Sequence, residues 1–315
     1  MSDRIYASVD LGSNTFRLLV AETDNYRRII PGSKKVFQEV TRLSEGLIPG
    51  QPLGKKARKR AFEAIEGFHR ILLQERPIGV LAGATMAARL ASDGEDFLKE
   101  IEERYGWETK LLSGSVEAYL AASGVLSGLP HIPKSALIVD IGGRSTEFIS
   151  FYSNTIMKTQ SLDMGVVGLT EALIKNDPPT NPELLNVEER VRDILSTGDF
   201  QNYDPSYTLI GTAGTITTIA AMILKLETYS PDAVNNLDIT AERIQELFYR
   251  LKILPLDRRK KELGLHPGRA DVILSGLVMV LVILSHFKQS SLLVSDNGLL
   301  EGLFLLNIGE IPLEF

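Results

Sequence analysis

The sequence predicts an α/β protein made of two related lobes, each a mixed five-stranded sheet flanked by helices, with a cleft between them. Two observations predict this class. A strand–turn–strand pattern occurs twice, as IYASVDLGSNTFRLLVAE at residues 5–22 and as ALIVDIGGRSTEFISF at residues 136–151. After each copy, a third strand and then alternating helices and strands follow in a similar order. We therefore expect one lobe to begin at each copy.

Length and composition allow a sizeable core and exclude several classes of protein. The chain has 315 residues, 44% of them hydrophobic, which favours two domains. It has 0 cysteines, which excludes disulfides, thiolate metal sites and cysteine nucleophiles. A net charge of −6 argues against a general nucleic-acid binder. The first residues lack the pattern of a signal peptide, and the most apolar run, residues 272–284, is too short to span a membrane. We expect a cytoplasmic protein with no nucleic-acid or membrane partner.

The first hairpin contains a turn of small or polar residues, Gly12, Ser13, Asn14 and Thr15. At a strand reversal such residues direct backbone N–H groups and hydroxyls toward a common point, which suits phosphate oxygens. Asp10 lies at the end of the preceding strand, where a carboxylate can hold a hydrated divalent cation against those oxygens. An ordinary hairpin with an Asx-type turn is the alternative interpretation.

The second hairpin repeats this layout, and Asp140 takes the position of the first aspartate. Its turn is again built of small and polar residues together with one arginine: Gly142, Gly143, Arg144, Ser145 and Thr146. Two hairpins that each offer a phosphate loop suggest two lobes that close on one phosphoryl group. Chance repetition of the pattern is the alternative.

Three features between the hairpins bear on function. The helix predicted at 55–75 begins with a run of basic residues, which indicates a solvated face or, alternatively, a docking surface for a long polyanion. Thr85 and Arg89 follow a buried strand, at the edge where α/β sheets bind ligands. Glu117 lies in the first turn of a helix capped near Ser113, where an acidic residue commonly only complements the helix dipole.

A third small-residue turn follows in the second lobe. A strand ends in Gly211 and Thr212 and runs through Gly214 into a helix, an arrangement that can bind phosphate at the helix N-terminus. Tight packing of strand on helix also favours small residues at such a turn, so the motif alone is weak.

The remaining pattern predicts the domain boundaries. Helices are expected at 186–195, 240–251 and 256–263, and an apolar helix follows residues 266–271. We predict a first domain at residues 1–127 and a second at 134–297. The closing helix, at about 298–315, is predicted to pack back on the first domain.

Six motifs resemble, in the same order, those of the exopolyphosphatase/guanosine pentaphosphate phosphohydrolase family, which has an actin-like (ribonuclease H-like) fold. The motifs are DLGSNTFRL, SGSVEA, DIGGRSTEF, GTAGTITT, RADVILSGL and SDNGLLEG. They extend from Asp10 to about Gly302, and the chain length resembles that of the short, two-domain members.

The resemblance implies a role for each matching residue. Glu117 falls on the glutamate that is the family's proposed base. Asp140 and Glu147 fall on carboxylates that position a cation and water, and with Asp10 they imply a Mg²⁺ (or Mn²⁺) cofactor. Arg17 and Arg269 look like ligands for substrate phosphates. A phosphoanhydride hydrolase needs these three kinds of group.

Three positions depart from the family's pattern. Arg144 stands where a third glycine is usual, and there an arginine would strain a turn that needs positive φ or add a cation to it. Val116 replaces the first acidic residue of its motif, which leaves Glu117 as the one candidate base there. Leu300 replaces a common arginine.

We therefore predict an exopolyphosphatase that releases the terminal phosphate of inorganic polyphosphate, with Glu117 as base and Mg²⁺ assistance. Arg89 joins the arginines that neutralise the following phosphates. The nearest alternative is a guanosine pentaphosphate (pppGpp) phosphohydrolase, which would bind guanosine penta- or tetraphosphate. A sugar or acid kinase of the same superfamily is disfavoured, because no cysteine-rich zinc motif and no clear aspartate base is present. Arg144 keeps a non-catalytic polyphosphate or alarmone sensor open, and a homodimer is open on general prevalence.

Overall fold

The computed structural model describes residues 4–30, 32–153, 155–200 and 207–312. The chain divides into two compact units. Unit 1 consists of Met1–Ser127 and Gly298–Phe315, and unit 2 of Gly128–Asn297. The last three residues of the predicted closing helix, 313–315, lie outside the described residues.

Unit 1 contains a five-stranded sheet with strand order β3-β2-β1-β4-β5. The first three strands are antiparallel, whereas β4 and β5 run parallel to β1. Its elements before residue 128 are β1 (Arg4–Leu11), β2 (Thr15–Thr23), β3 (Lys35–Val40), α1 (Lys55–Glu75), β4 (Gly79–Ala84), α2 (Met86–Leu90), α3 (Gly94–Tyr105), β5 (Glu108–Leu111) and α4 (Gly114–Ser127).

The core of unit 1 follows from two sequence periods. Alternate residues of β1, among them Val9 and Leu11, belong to the core cluster on one face of the sheet. Ser8, on the opposite face, is also fully buried, so the strand is covered on both sides. On α1, Ile65, Phe68 and Leu72 recur at helical spacing and pack against the same cluster. The helix thereby covers one face of the sheet.

Unit 2 contains a six-stranded sheet with strand order β10-β11-β9-β6-β7-β8. Strands β6, β7 and β8 are antiparallel, and β9 runs parallel to β6. Its elements are β6 (Ser135–Ile141), β7 (Thr146–Tyr152), β8 (Thr155–Leu162), α5 (Val166–Leu173), α6 (Asn181–Ser196), β9 (Thr208–Thr212), α7 (Ala213–Leu224), α8 (Pro231–Val234), β10 (Asp238–Thr240), α9 (Ala241–Leu251), α10 (Leu256–Arg259), a 3₁₀ turn (Pro267–Arg269), α11 (Ile273–His286) and β11 (Ser291–Val294).

The predicted fold class is confirmed, since both sheets begin with three antiparallel strands and continue with parallel ones, the strand order of an actin-like lobe. Three details differ from the prediction. The second sheet has a sixth strand, the three-residue edge strand β10. Helix α6 begins at Asn181 rather than at 186, because Thr180 and Glu183 form a capping box at its start. Helix α10 ends at Arg259, earlier than expected.

The closing helix α12 (Leu299–Asn307) packs in unit 1 against α4 and the sheet. A Cβ atom at Gly124 would overlap the carbonyl of Gly298, and one at Gly302 would overlap the carbonyl of Leu120. The two helices therefore approach closely only because both positions are glycine. Leu300 is fully buried where α12 packs on the sheet, beside Leu19 and Ala21 of β2, so the leucine that departs from the family's pattern is a core residue.

In the described part of the chain, every helix is too short or too polar to cross a lipid bilayer.

Candidate active site

The turn of the β1–β2 hairpin is held in place by hydrogen bonds that its carbonyl groups accept from the segment after β3. The carbonyl of Asn14 accepts hydrogen bonds from the backbone N–H groups of Thr41 and Arg42, at 3.0 and 2.9 Å, and that of Ser13 accepts one from Ser44 at 3.0 Å. A Cβ at Gly12 would lie 2.7 Å from the carbonyl oxygen of Thr15, so the turn requires glycine there. These bonds fix the turn against the segment that follows β3.

Asp10 lies beside this turn, directly across the hairpin from Arg17. Its Oδ1 atom is buried and has no hydrogen-bond partner among the described residues. Burial raises the pKa of Asp10 to about 7, although Arg17 lowers it, and Glu301 raises it further. A buried carboxylate oxygen without a donor is the group that a bound cation would satisfy.

Glu117 is a buried carboxylate in the first turn of α4, with 8% of the residue exposed. Its Oε2 atom accepts a hydrogen bond of 2.6 Å from Nη1 of Arg89, and the same nitrogen donates to the carbonyl of Leu112 at 2.6 Å. Arg89 comes from α2, which begins directly after the buried residue Thr85. The structure thus brings together Arg89 and Glu117, and the contact fixes the orientation of the Glu117 carboxylate.

The β6–β7 hairpin of unit 2 places two carboxylates opposite each other. Asp140 pairs across the strands with Glu147. Glu147 is 2% exposed, and its Oε1 atom accepts a hydrogen bond of 2.8 Å from the hydroxyl of Ser161 on β8. An acidic pair on adjacent strands is the donor set that a divalent cation prefers.

The turn between these strands is held by α5. The carbonyls of Gly142 and Gly143 accept hydrogen bonds from the first N–H groups of that helix. Thr146 is fully buried, and its hydroxyl donates to the carbonyl of Met164, so this predicted phosphate ligand directs its hydroxyl to the core. Ser145 is also buried, at 4% exposure.

Arg144 does not strain its turn, and its side chain is paired with a helix. Its φ angle is not positive, so the turn does not need glycine at this position. Its guanidinium points to α5, where Nη2 lies 2.6 Å from Oε2 of Glu171.

A second small-residue turn lies on the neighbouring strand of unit 2. Thr212, which pairs with Asp140 across β6 and β9, donates its hydroxyl to the carbonyl of Asn297 at 2.7 Å. Ala213, the next residue, has φ of 68°, a left-handed conformation that is uncommon for a residue with a Cβ and that occurs often at ligand sites. The turn therefore stores strain next to one of the predicted carboxylates.

Arg269 lies over the N-terminus of α7. A Cβ at Gly214 would overlap its guanidinium, and Nη1 donates to the hydroxyl of Thr218 at 3.2 Å. The first turn of this helix has no side-chain cap. A guanidinium above uncapped helix N–H groups is an arrangement that binds anions. At Gly211, a Cβ would lie 3.0 Å from the side chain of Leu292 on the neighbouring strand, so glycine there allows close packing within the sheet.

The basic start of α1 is largely neutralised. Arg58 forms ion pairs with Asp93 and Glu100, and Arg60 contacts Glu45 as well as backbone carbonyls. These contacts favour a structural role for the arginines over a docking surface for a polyanion.

Several residues that contact the predicted side chains within each unit were not predicted. The hydroxyl of Ser161 donates a hydrogen bond to Glu147, and that of Thr218 accepts one from Arg269. Glu171 forms an ion pair with Arg144. Glu301 is 3% exposed, accepts a hydrogen bond from the N–H of Gly298, and forms an ion pair with Lys34, whose Nζ atom is 2.9 Å from its Oε1 atom. Two of them had a sequence signal, because Thr218 belongs to the GTAGTITT motif and Glu301 to the SDNGLLEG motif.

No group of three or more acidic or histidine side chains in the described ranges is arranged as a metal site. The residues nevertheless fit Mg²⁺ or Mn²⁺, because Mg²⁺ commonly takes one or two protein carboxylates and completes its shell with substrate phosphates and water. The buried, unpartnered oxygen of Asp10 and the paired carboxylates of Asp140 and Glu147 are the matching groups.

Comparison with known proteins assigns the chain to a family. The sequence profile of the Ppx/GppA phosphatase family matches residues 34–309. The chain belongs to this family. Among solved structures, a Ppx/GppA protein of Aquifex aeolicus superposes with a TM-score of 0.80 at 28% identity, covering 98% of this chain and 99% of the other. The predicted family resemblance is thereby confirmed.

Two curated relatives cover most of this chain. The bifunctional 3-dehydroquinate synthase/phosphatase of Fusobacterium nucleatum is 29% identical over 314 residues, which are 95% of this chain and 46% of that protein. The chain thus spans about half the length of this relative. Exopolyphosphatase 2 of Mycobacterium tuberculosis is 27% identical over 95% of this chain and 97% of its own length.

Proposed function

We propose that this member of the Ppx/GppA phosphatase family hydrolyses the terminal phosphoanhydride bond of inorganic polyphosphate. The observation that carries the proposal is the buried carboxylate of Glu117, which Arg89 holds in one orientation at 2.6 Å. A hydrolase needs a carboxylate of this kind to take a proton from the attacking water. The name of the Mycobacterium tuberculosis relative supports polyphosphate as the substrate.

Both units supply groups for the proposed reaction. Glu117 accepts a proton from water as the water oxygen attacks the terminal phosphorus. The bond from that phosphorus to the bridging oxygen breaks, and inorganic phosphate and a chain shortened by one unit result. Arg17 and Arg269 neutralise phosphate oxygens, and the turns at residues 12–15 and 142–145 orient them through backbone N–H groups.

Asp140, Glu147 and Asp10 are the residues that would hold Mg²⁺ or Mn²⁺. Such an ion, when bound, neutralises charge on the phosphate oxygens and favours the departure of the leaving group. The hydrogen bond from Ser161 keeps Glu147 in one rotamer.

The test is phosphate release from long-chain polyphosphate in the presence of Mg²⁺, with the wild type and Glu117→Gln. We expect release by the wild type and a loss of about 10²- to 10⁴-fold in kcat for the variant, the usual contribution of a general base. Glu75→Gln is the matched control, because Glu75 is also a glutamate of unit 1 paired with a cation, Lys35, at 2.7 Å. Near-wild-type turnover by a folded Glu117→Gln protein would exclude Glu117 as the base.

Guanosine pentaphosphate is the second candidate substrate, because the resemblance of the six sequence motifs implies either phosphoanhydride and the same residues serve both. The same assay with guanosine pentaphosphate and ATP separates the candidates through the ratio of kcat/KM values. Faster turnover of guanosine pentaphosphate would reassign the substrate without changing the residues. Binding without release from any of the three would support a sensor.

A further inference from the structure

The turn of the β6–β7 hairpin is docked on the N-terminus of α5. The N–H of Val166 donates to the carbonyl of Gly142 at 3.2 Å. Those of Val167 and Gly168 donate to the carbonyl of Gly143 at 2.9 and 3.2 Å. The first N–H groups of a helix have no partner within the helix, so these bonds satisfy helix and turn together. The position of α5 thereby decides where the phosphate loop lies.

Arg144 reinforces this docking from the tip of the turn. Gly165, Gly168 and Glu171 are spaced by three residues, which places them on one side of α5. A Cβ at Gly165 would overlap the backbone of Arg144, and one at Gly168 would lie 3.6 Å from its Nη1 atom. The arginine therefore lies in a groove made by two glycines and ends at the carboxylate of Glu171, 2.6 Å away.

The position of Glu171 on α5 is unfavourable for an acidic residue in the absence of this ion pair. It lies near the C-terminal end of α5, where the helix dipole disfavours an acidic residue. The Arg144 side chain is 18% exposed and that of Glu171 38%, so the pair is partly shielded from water. An exposed glutamate placed against the dipole and aimed at the loop arginine is explained by the contact with that arginine.

We infer that Arg144 and Glu171 are positioning residues that clamp the phosphate loop on α5, and that Arg144 does not itself bind substrate phosphate. The inference rests on the proposed function, since the loop is taken to orient phosphate oxygens. With the carbonyls of the loop held by α5, the loop keeps one conformation for substrate. Loss of the clamp weakens substrate binding, while Glu117 and the proton transfer are unaffected.

The test compares Arg144→Gln, Glu171→Gln and the double variant. We expect each single variant to raise the KM for polyphosphate by about twofold to fivefold, the range of a partly exposed ion pair, with kcat within about twofold. The double variant should be no worse than either single one, because both remove the same contact. Glu188→Gln is the matched control, since Glu188 pairs with Arg192 on α6 and is also 38% exposed.

The direction of the Glu171→Gln effect separates the clamp from direct binding. If Arg144 bound substrate, releasing it from Glu171 would leave KM unchanged or lower it, whereas Arg144→Gln would raise it. That pattern would overturn the inference. Amide hydrogen exchange supplies a readout that does not depend on activity. We expect exchange at residues 166–168 to be about twofold to fivefold faster in both single variants and unchanged in the control.

The two proposals fail in different ways. A wild type that releases no phosphate would refute the proposed function, and the exchange rates at residues 166–168 would still decide whether the clamp exists. Unchanged exchange in both variants would overturn the clamp even if the enzyme is active. A Glu171→Gln protein is expected to fold, because the side chain is exposed on a helix.

Discussion

The β1–β2 and β6–β7 hairpins have the same strand register and opposite charges at one position. Asp10 faces Arg17 across the first hairpin, whereas Asp140 faces Glu147 across the second. In both, a glycine follows two residues after the aspartate, and the carbonyls of the turn are held by backbone N–H groups. The shared backbone fixes where the side chains lie, and the single change of charge decides what each hairpin can bind.

The two turns are also held by different means. The turn of unit 1 is bonded to an irregular segment, residues 41–44. The turn of unit 2 is bonded to the N-terminus of a helix and carries the Arg144–Glu171 ion pair. The acidic pair Asp140–Glu147 suits a cation, whereas Arg17 in the first hairpin suits an anion. Removing one of these charges from each hairpin should therefore give different kinetic defects.

Of the two hairpins, the acidic one is expected to give the larger effect. Glu147→Gln removes a carboxylate that we propose to hold Mg²⁺ but keeps a carbonyl that can accept the hydrogen bond of Ser161. We expect kcat for polyphosphate to fall by about 10²- to 10³-fold, because electrostatic assistance at the phosphoryl group is lost. A Mg²⁺ titration of the initial rate checks this. An unchanged Mg²⁺ requirement with normal kcat would show that the acidic pair has no part in cation binding.

A smaller effect of a different kind is expected in the hairpin of unit 1. Arg17→Gln removes a cation across from Asp10, and we expect KM for polyphosphate to rise by about tenfold or more, the usual contribution of a charge-assisted hydrogen bond. Steady-state kinetics on long and short chains measure the split between KM and kcat. A fall in kcat without a rise in KM would contradict the assignment of opposite roles to the two hairpins.

Much of this comparison could be predicted from the sequence, because a hairpin is a local structure. The alternation of apolar residues and the glycine turn set the register that pairs Asp10 with Arg17. Helix α1 has the predicted bounds for the same reason, since its pattern is long and periodic. Elements with a weak pattern were missed, such as the three-residue edge strand β10.

Contacts between distant parts of the chain could not be predicted in this way. Arg144 finds Glu171 only because α5 folds back on the turn, which no local pattern reveals. Arg58 belongs to a run of basic residues, yet its partners lie on and just before α3. The early start of α6 is a different case, because the Thr180–Glu183 capping box is a local pattern that indicates a helix start in the sequence itself.

The two turn glycines should differ in their tolerance of a methyl group. A Cβ at Gly12 would lie 2.7 Å from a backbone carbonyl oxygen, whereas at Gly142 the same distance is 3.0 Å. We expect Gly12→Ala to lower the free energy of unfolding by about 1–3 kcal/mol, as for other overpacked positions, and Gly142→Ala to lower it by less. Chemical denaturation followed by circular dichroism measures both changes.

Unit 1 allows a separate readout of its own stability. The single tryptophan, Trp107, is buried there, so its fluorescence reports on that unit. Gly67→Ala is the control, because a Cβ at this position in α1 meets open space and alanine favours a helix. Equal losses for Gly12→Ala and Gly142→Ala would show that the two turns are equally tight, despite the difference in contact distance.

The smallest effect on activity is expected from Glu183, a carboxylate in the capping box of α6 in unit 2. Glu183 accepts backbone hydrogen bonds from Thr180 and Lys175, each 2.7 Å long, and these bonds lower its pKa from 4.5 to about 2. Because the folded-state pKa lies below the unfolded one, ionised Glu183 stabilises the fold above about pH 4.5. This stabilisation is lost as the pH falls through about 2.

Glu183→Gln should therefore be less stable than the wild type at pH 7, and the difference should shrink between pH 4.5 and 2. Circular dichroism at a series of pH values measures the difference, and amide exchange at Lys175 and Thr180 locates it. Kinetic constants at pH 7 should stay near those of the wild type, since the network lies on the loop before α6. A stability difference that grows toward low pH would require a raised pKa instead, which five hydrogen bonds donated to the carboxylate argue against.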